Sequence, residues 1–411
     1  MPELKKPLFV ILFATLILVV TLSGCGTKKG QLGGKIYDDT TKELITGSVV
    51  VTLTGASSIT VTNGQYQFTD VSIGDKTLTA QAEGYKTYTA SVKIEAGKTI
   101  TKDVYLVEEV TVPPDPTDPT PGEKGTYTVG GVVFDMRYAP SGSFISDDNV
   151  ISEDEKLPGP VDVTNPFWIA ETEVTYELWH KVYTWATTDG HGYTFANPGR
   201  EGHDGTIGAA PTSASQEPVT TVSWRDALVW CNALTEYYNA QSGMSLSCVY
   251  KSGGNPIRDA TAGAACDAVV PDSGAKGFRL PTSGEWQLAA RYQDGSVWTP
   301  GDHVSGDTSG PCYSTDPEAV LSTVFGDYAW YSGCGSTKPV GQKSANALEV
   351  RDMTGNVYEW CFDKHPSYTT RRICRGGSWG GVASYLRIGK ITFGTPDYTY
   401  SGWGFRFVRT Q

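Results

Sequence analysis

The chain has 411 residues, and independently folded domains usually run to roughly 100–200 residues, so one small domain is excluded. Its 47 glycines and 23 prolines favour turns and β structure over long helices. The formal net charge of −12 would repel a phosphate backbone, so nucleic acid is not expected as a partner.

The first 24 residues predict an export signal. Lys5 and Lys6 precede an apolar run over residues 8–22, which is shorter than the roughly 20 residues of a comfortable membrane span. The run ends in the sequence LSGC at 22–25, which resembles the lipobox of bacterial lipoproteins. An uncleaved anchor is the alternative, and both readings place the rest of the chain outside the cytoplasm.

The lipoprotein resemblance implies cleavage before Cys25, lipidation of its thiol, and a short tether over residues 25–33. Two or three acyl chains hold a protein at a bilayer far better than one chain does. We therefore expect a lipid-anchored protein of the bacterial cell envelope whose partner is a membrane. The outer membrane or the cell surface is preferred to the inner membrane.

Residues 34–108 predict an all-β sandwich, because short β-branched and aromatic runs alternate with Gly, Asn and Asp turns. The predicted strands include residues 48–54, 65–68, 76–82 and 87–94. Asn63-Gly64 predicts a tight hairpin between residues 59–61 and 66–68, since both residues tolerate positive φ. The motifs GKIYD at 34–38, NGQYQF at 63–68 and EGY at 83–85 resemble carboxypeptidase-regulatory-like modules, which implies a spacer or accessory adhesion role.

A Pro-rich linker is predicted over residues 109–125, because such proline density favours extended polyproline geometry without a core. The remaining chain, residues 126–411, is rich in aromatic residues and glycine and has three helix signals. Ser223 and Asp226 form one capping box, and Thr282 and Glu285 form another. A third helix is predicted to start near Thr175. The remainder predicts short strands and long loops, which are typical of a loop-built binding surface.

This last segment carries a series of short motifs in a fixed order. They are FWI at 167–169, EVT at 173–175, PV at 218–219, VSWRDA at 222–227, FRLPT at 278–282, EW at 285–286, AAR at 289–291, PVG at 339–341, DMTGNVYEW at 352–360, RGGSW at 375–379 and GFR at 404–406. Together they resemble formylglycine-generating-enzyme (sulfatase-modifying-factor) domains. The resemblance implies an α+β, loop-rich, elaborated C-type-lectin-like fold, with a small twisted antiparallel sheet flanked by two helices.

Catalytic members of that family oxidise a sulfatase cysteine with copper and dioxygen through two cysteines that follow the Gly-Gly-Ser-aromatic motif. Thiolates suit this role because they are soft ligands for Cu(I). The matching positions in this chain are Gly381 and Leu386, and the nearest thiol, Cys374, lies before the motif. We therefore expect no copper and no catalytic residues.

The histidines and the other cysteines offer no alternative centre. The iron-dependent branch of the superfamily relies on histidines, but the five here are scattered without ligand spacing and are expected on the surface or in loops. Apart from Cys25 there are seven cysteines, so at least one stays unpaired within a chain. The candidate disulfides are Cys361–Cys374 and Cys248–Cys266, although sequence does not fix connectivity.

The resemblance also implies a calcium site. Its ligands would be the side chains of Asp352 and Glu359 and the carbonyls of Gly355 and Val357. Hard oxygen ligands of this kind are what Ca²⁺ requires, and the ion would serve to staple the loops. The alternative is that Glu359 pairs with a buried arginine such as Arg279 or Arg375.

A ligand-binding face is predicted between the last two motifs, because Tyr and Trp give rigid contact area while Gly and Ser give fit. The candidate residues are Trp379, Gly381, Tyr385, Phe393, Tyr398, Tyr400 and Trp403. The alternative is that these aromatic side chains are core. Some lipoproteins of this fold carry a retroelement-diversified segment here, and the corresponding segment would be residues 380–403.

These observations predict an exported, lipid-anchored protein that displays a non-catalytic domain for binding an unknown protein or small ligand. One alternative is a sulfatase-modifying oxidase or related protein-modifying enzyme that uses a rearranged site. A second alternative is a structural component of the envelope.

Overall fold

The computed structural model describes residues 28–39, 42–107, 118–146, 160–188, 190–212 and 216–411. The predicted signal peptide, Cys25 and most of the predicted linker therefore lie outside the described residues. The chain divides into two compact units, residues 1–107 and residues 108–411. In the described part of the chain, no helix is both long enough and apolar enough to cross a membrane.

The described residues of the N-terminal unit form eight strands. They are β1 (Lys29–Asp38), β2 (Val49–Leu53), β3 (Ile59–Val61), β4 (Gln65–Ser72), β5 (Gly74–Ala82), β6 (Tyr88–Ile94), β7 (Thr99–Thr101) and β8 (Val104–Leu106). One sheet has β1 between β4 and β7, with β8 also paired to β1, and the other has the order β3-β2-β5-β6. One apolar core is shared by both sheets and includes Leu32, Val51 and Leu78. The predicted all-β sandwich is confirmed, and β1 begins within the predicted tether.

The predicted hairpin at Asn63-Gly64 is wrong. β3 pairs with β2, whereas β4 pairs with β1, so this turn passes the chain from one sheet to the other. A two-residue hairpin of the expected type needs positive φ at both central residues, and of this pair only Gly64 has it. The Asn63 side chain instead accepts a hydrogen bond from the Gln65 backbone N–H at 3.2 Å.

The strands of the C-terminal unit are mostly short. They are β9 (Lys124–Val129), β10 (Val132–Ala139), β11 (Gly142–Ile145), β12 (Pro160–Val163), β13 (Phe167–Ala170), β14 (Arg200–Glu201), β15 (Val219–Thr220), β16 (Lys251–Ser252), β17 (Asn255–Pro256), β18 (Phe278–Arg279), β19 (Tyr358–Lys364), β20 (Arg372–Arg375), β21 (Thr392–Gly394), β22 (Trp403–Gly404) and β23 (Val408–Thr410). The main sheet is antiparallel, in the order β18-β23-β13-β10-β9. A second sheet has the order β21-β20-β19-β22. Because β9 starts at Lys124, the end of the predicted linker belongs to this unit.

Four α-helices complete the part of this unit that the structure describes. They are α1 (Tyr176–Thr187), α2 (Trp224–Ser242), α3 (Gly263–Asp267) and α4 (Ser283–Arg291). Both predicted capping boxes are present, since Ser223 and Thr282 each exchange hydrogen bonds with the acidic residue three positions later. Thr175 caps α1 by accepting a hydrogen bond from the Leu178 N–H. The α+β, loop-rich fold predicted for this unit is confirmed.

Two apolar cores lie on opposite faces of the sheets, because side chains alternate along a strand. On β13, Trp168 packs in the core that contains α1 and α2, whereas its neighbour Phe167 packs in the core that contains α4. The same alternation separates the cysteines. Trp360 on β19 is paired with Cys374 on β20, and both side chains lie in the core that contains α1 and α2. Cys361 is the next residue on β19, so its side chain faces the core that contains α4.

The predicted disulfides are therefore not formed. All seven described cysteines are free thiols. The Cys361 and Cys374 side chains point to opposite faces of one sheet, and the Cys248 and Cys266 thiols instead lie near the carbonyls of Asn232 and Asp259. His303 and His365 are buried, but both lie in loops outside the helices and strands, as the prediction of surface or loop positions allows.

Candidate functional site

Consecutive glycines build the predicted ligand-binding region. At the end of β20, Gly376 and Gly377 both have positive φ, of 92° and 81°, which side chains rarely tolerate. A Cβ at Gly377 would also lie 2.8 Å from the Tyr385 carbonyl oxygen. The chain can therefore turn sharply into Ser378 and Trp379, and the Trp379 N–H donates to the Asn356 carbonyl at 2.8 Å.

This turn forms one wall of an open cleft of about 520 Å³, which we call the aromatic cleft. Its lining residues are Tyr358, Ser378, Trp379, Gly380, Gly381, Val382, Tyr385 and Tyr400. Tyr385 and Tyr400 are exposed, and no carboxylate or guanidinium group is among the lining residues. The cleft therefore offers aromatic faces, backbone groups and hydroxyl groups, the combination found in adaptable binding surfaces.

Four of the seven predicted ligand-binding residues, Trp379, Gly381, Tyr385 and Tyr400, line the aromatic cleft. Trp403 instead packs edge-on against Trp360 at 4.7 Å between ring centroids and is buried. The other two residues do not line the cleft. Tyr398 is exposed, but its ring packs on Trp403, and Phe393 packs on His365 and Tyr368.

Sequence reasoning missed Tyr358, although it lies in the DMTGNVYEW motif. It also missed His203, whose ring lies 4.4 Å from that of Trp379. The His203 ring nitrogen Nδ1 is 2.9 Å from Ser401 Oγ, and its backbone N–H donates to Thr337 Oγ1 at 2.7 Å. Trp379 is thus held by a loop from a distant part of the sequence, and no local pattern around His203 could have indicated this contact.

The two positions that match the family's catalytic cysteines are differently placed. Gly381 lines the aromatic cleft, and its carbonyl accepts a hydrogen bond from the Ser332 N–H at 2.9 Å. Leu386 is fully buried with Val304 and Cys312. Burial raises the pKa of the Cys374 thiol well above its ordinary value, so it is not available as a thiolate. The two family positions themselves therefore offer no pair of thiolates to copper.

A second feature, which we call the carboxylate cluster, consists of Glu173, Asp352 and Glu359. All three side chains are buried, and Glu173 is only 2% exposed. Glu359 is bound on both oxygens, because Arg406 donates to each at 2.7 Å and the Trp286 indole N–H donates to Oε2 at 2.7 Å. Thus Glu359 does pair with a buried arginine, although its partner is neither Arg279 nor Arg375.

The other two carboxylates are poorly satisfied. Asp352 Oδ2 accepts a hydrogen bond from the Gly341 N–H at 2.5 Å, while its Oδ1 has no partner among the described residues. Neither oxygen of Glu173 accepts a hydrogen bond from another described residue. Buried carboxylates without partners are costly, so the cluster needs a further source of compensation.

The pKa shifts follow from this environment. Burial, and then the charge of Asp352, raise the pKa of Glu173 well above its ordinary value. Burial raises the pKa of Asp352 to about 6. Burial by itself would lower the pKa of Arg406, but the Glu359 carboxylate outweighs it, so the guanidinium stays charged. With every group ionised, three negative charges and one positive charge leave a surplus of two negative charges.

The loop that precedes β19 and carries Asp352 is held in a constrained conformation. Asp352, Gly355 and Asn356 all have positive φ, and a Cβ at Gly355 would collide with the Trp330 carbonyl. Asn356 is fixed by hydrogen bonds to both backbone groups of Lys338. Residues held in sparsely populated backbone conformations cluster at functional sites.

A divalent cation would fit the charge and the donor type of this cluster. The unpartnered oxygens of Asp352 and Glu173 are hard ligands, and two positive charges would match the surplus. In the described residues, no three His, Cys, Asp or Glu side chains converge as a metal site, so backbone carbonyls such as those predicted at Gly355 and Val357 would be needed. The calcium site stays a prediction.

Comparison with known proteins gives the family. Residues 128–411 match the model for the sulfatase-modifying factor enzyme 1-like domain, and residues 31–107 match the carboxypeptidase regulatory-like domain. The chain is 31% identical over 214 residues to the chaperone protein LppX of Paenibacillus barcinonensis, covering 48% of this chain and 71% of that protein.

Two further relatives are informative. The formylglycine-generating enzyme of Thermomonospora curvata is 30% identical over 161 residues, covering 32% of this chain and 48% of that enzyme. The solved structure of Treponema denticola variable protein 1 is 27% identical with a TM-score of 0.53, covering 72% of this chain and all of that one. The family match spans more than half of the sequence, and the chain therefore belongs to the sulfatase-modifying factor enzyme 1-like family.

Proposed function

We propose that this protein is a lipid-anchored component of the bacterial cell envelope that binds a protein or small ligand through the aromatic cleft, without catalysis. The observation that carries the proposal is that Gly381 lines an open cleft of exposed tyrosines at a position where the family's enzymes have a catalytic cysteine. Leu386, at the second such position, is buried apolar core. Fold alone does not confer activity, which depends on the residues at the site.

Cross-linking from inside the aromatic cleft tests the binding role. A photoreactive phenylalanine analogue placed at Tyr385 or Tyr400 in the full chain, in the producing cells, should give the same adduct from both positions. The control is Tyr105, an exposed tyrosine of the N-terminal unit. Adducts that match those of the control, or the absence of adducts from both cleft positions, would contradict the proposal.

The enzyme alternative predicts a different result. The purified full chain, incubated with copper, oxygen and a sulfatase-derived peptide, should form no aldehyde, because the two thiols are replaced and Cys374 is buried. Aldehyde formation that disappears in Cys374→Ala would establish the enzyme. The structural alternative predicts stoichiometric capture of other envelope proteins by cross-linking at positions outside the cleft as well as inside it.

The similarity to the chaperone protein LppX favours a protein as the ligand. Such a ligand would bind the same exposed aromatic surface. The similarity to Treponema denticola variable protein 1 supports the hypothesis of a diversified receptor. It predicts a near-repeat of residues 380–403 beside a reverse transcriptase gene, with differences at template adenines. The differences should fall on exposed residues such as Val382, Tyr385 and Tyr400 and spare the buried Leu386.

The anchor is tested through Cys25. Labelling of growing cells with radioactive palmitate should mark the wild-type protein and not Cys25→Ala, and the variant should leave the membrane fraction. Proteinase accessibility of intact cells would then distinguish the cell surface from the inner membrane. A palmitate label that survives in Cys25→Ala would contradict the proposal.

We also propose that a calcium ion stabilises the loop that carries Asp352. Support comes from the unpartnered Asp352 Oδ1, from the two surplus negative charges of the carboxylate cluster and from the constrained backbone of the loop. When bound, the ion would supply charge neutralisation and would cross-link loops, with no chemical step required of it. Equilibrium dialysis of the full chain against calcium, with EGTA as the control, measures the calcium bound per chain.

A further inference from the structure

The outer face of one N-terminal sheet carries a cavity that shares no residue with the sites described above. It is an open trough of about 560 Å³, and we call it the glycine trough because Gly33 and Gly34 on β1 form its floor. Leu32 and Ile36 point into the apolar core, so side chains at the alternate positions of β1 face outward. Tyr37 is at such a position and also lines the trough. The glycine trough therefore opens to solvent on the side of the sheet away from the core.

The floor exists because the sheet is interrupted beside β1. The ladder of β1 with β7 ends at Gly33, and its ladder with β8 begins at Ile36. A Cβ at Gly34 would collide with the Lys102 carbonyl oxygen, so the link between β7 and β8 can approach β1 only where no side chain is present. In this link, Asp103 Oδ1 accepts a hydrogen bond from a β1 N–H at 2.9 Å. The hollow is thus fixed by contacts within the sheet and is preformed, as ligand sites usually are.

Neutral polar side chains stand on both sides of the floor. The strand register places Gln67 of β4 opposite Gly33 on one side, and Thr101 of β7 opposite it on the other. Gln65 lies two residues further along β4. All three side chains are exposed. A glutamine amide offers donors and an acceptor, and a threonine hydroxyl offers both, so these walls can bond hydroxyl groups in either sense.

The two charged side chains that line the trough are Lys35 and Asp103, and their charges cancel. Within the described part of the chain, neither Asp103 Oδ2 nor the Lys35 ammonium has a hydrogen-bond or ion-pair partner. A site without net charge gives little selectivity for an ionic ligand. Each of the two groups is nevertheless a strong, charge-assisted partner for a neutral hydroxyl group.

One aromatic ring completes the lining. Tyr37 is stacked on Tyr105 at 5.2 Å between ring centroids, which fixes the orientation of its ring. Aromatic side chains provide large, rigid apolar faces. A pyranose ring has an apolar face of C–H groups and a rim of hydroxyl groups, so it is recognised by an aromatic face beside a set of hydrogen-bonding groups. The glycine trough offers this combination.

We propose that the glycine trough binds a neutral oligosaccharide, as a segment of a polysaccharide. The absence of side chains on the floor lets a sugar ring lie close to β1, with its C–H face toward Tyr37. Gln65, Gln67 and Thr101 bond its hydroxyl groups from the two sides. The trough is open at the surface, so the glycan chain can continue beyond it. This role belongs to the N-terminal unit and depends neither on the aromatic cleft nor on calcium.

The test is binding of the purified full chain to an array of oligosaccharides built from glucose, galactose, mannose and N-acetylglucosamine, followed by calorimetric titration with those that bind. Sulfated and sialylated oligosaccharides on the same array are the charged comparison. At least one neutral oligosaccharide should bind at concentrations up to millimolar, and more tightly than its charged counterparts. Binding of no neutral oligosaccharide, or a preference for the charged ones, overturns the proposal.

Two substitutions locate the site. Gly33→Thr fills the floor and should abolish glycan binding. Gly33 does not have positive φ, and its added Cβ would lie 3.1 Å from the nearest atom, the Tyr66 carbonyl oxygen, so a small adjustment of β4 accommodates it. Asp103→Asn keeps an oxygen for the β1 N–H but loses the charge, and it should weaken glycan affinity about tenfold.

The control separates the two sheets of the unit. Gln67→Ala should weaken glycan binding, whereas Gln81→Ala, at an exposed position on β5 of the other sheet, should bind as the wild type does. Amide protection in β1–β8 verifies that each variant is folded. Glycan binding that persists in Gly33→Thr, or equal losses in the two glutamine variants, overturns the assignment to the trough. If Gly33→Thr does not fold, wild-type affinity in Asp103→Asn and Gln67→Ala overturns it.

Discussion

The two units of the chain are stabilised by different kinds of interior. In the described residues of the N-terminal unit, Asp38 is the one buried charged or polar side chain, and the rest of that interior is apolar. The C-terminal unit instead buries whole guanidinium groups, among them Arg291, Arg375 and Arg406. Regular strands satisfy their own backbone, whereas a loop-rich unit needs charged side chains to bond its carbonyls, as Arg375 does with Gly389 and Lys390. A loop-rich unit therefore buries charged side chains that a regular sheet does not need.

This contrast can be tested one unit at a time. All 11 tryptophans lie beyond residue 107, so tryptophan fluorescence reports only on the C-terminal unit. Protection of backbone amides from hydrogen exchange can follow the N-terminal unit separately.

The largest effect is expected for Arg406→Met, which leaves Glu359 buried without its partner. Removal of one member of a buried pair costs about 3–5 kcal/mol. Denaturant unfolding followed by tryptophan fluorescence should show this loss, while amide protection in β1–β8 stays unchanged. Arg258→Met is the control, because its pair with Glu236 is partly exposed and is expected to contribute at most about 1 kcal/mol. Equal losses in the two variants would contradict the contrast.

In the N-terminal unit, Leu78→Ala should cost about 2–5 kcal/mol, because Leu78 is fully buried between the sheets. The loss should appear as faster amide exchange in β2 and β5, with no change in tryptophan fluorescence. Val50→Ala, at a position exposed on β2, is the matched control and should change little. A shift of the fluorescence transition in Leu78→Ala would mean that the units do not unfold separately.

Gly355→Ala sharpens the comparison within the C-terminal unit. The residue has φ of 85°, and the added Cβ would meet the Trp330 carbonyl, so we expect a loss of at least about 1–3 kcal/mol. Gly380→Ala should be nearly neutral, because nothing lies within 4 Å of its added Cβ. Fluorescence-detected unfolding of the two variants measures the difference, and equal stability would show that the loop can relax.

The smallest effect concerns pH. Burial would raise the pKa of Glu285, but Arg279 and the cap hydrogen bonds from Thr282 outweigh it, so the pKa lies below its ordinary value. Folding is therefore favoured by the ionised form, and this stability is present above about pH 4.5 and is lost as pH falls through the lower folded-state value. The fluorescence-detected melting temperature should fall as the pH drops below about 4.5, and Glu285→Gln should show a smaller fall. Identical slopes would contradict this assignment.

Local signals were predictable from the sequence, and long-range pairings were not. Ser223 and Thr282 could be assigned as caps because both partners of each box lie within four residues. The partner of Glu359 could not be assigned from the sequence, because Arg406 is brought to it by the pairing of β13 with β23 and of β19 with β22. The register opposes Glu359 to Arg375, yet the Arg375 guanidinium bonds Ser283 instead.

The candidate site shows the same limit. Trp379 and Gly381, at and just after the RGGSW motif, line the aromatic cleft, and a turn of consecutive glycines is a feature that the local sequence can indicate. An aromatic residue in the following segment could not be assigned to cleft or core, because exposure depends on which strand covers it. Tyr400 is exposed and Trp403 is buried, although they lie three residues apart.

The position of β23 in the main sheet has a consequence for biogenesis. This strand lies between β13 and β18, so β13 has no partner on one side until residues 408–410 arrive. Nearly the entire unit must therefore be synthesised before its sheet can be completed. Folding of the unit thus depends on pairing between residues that are far apart in the sequence, which is intrinsically slow.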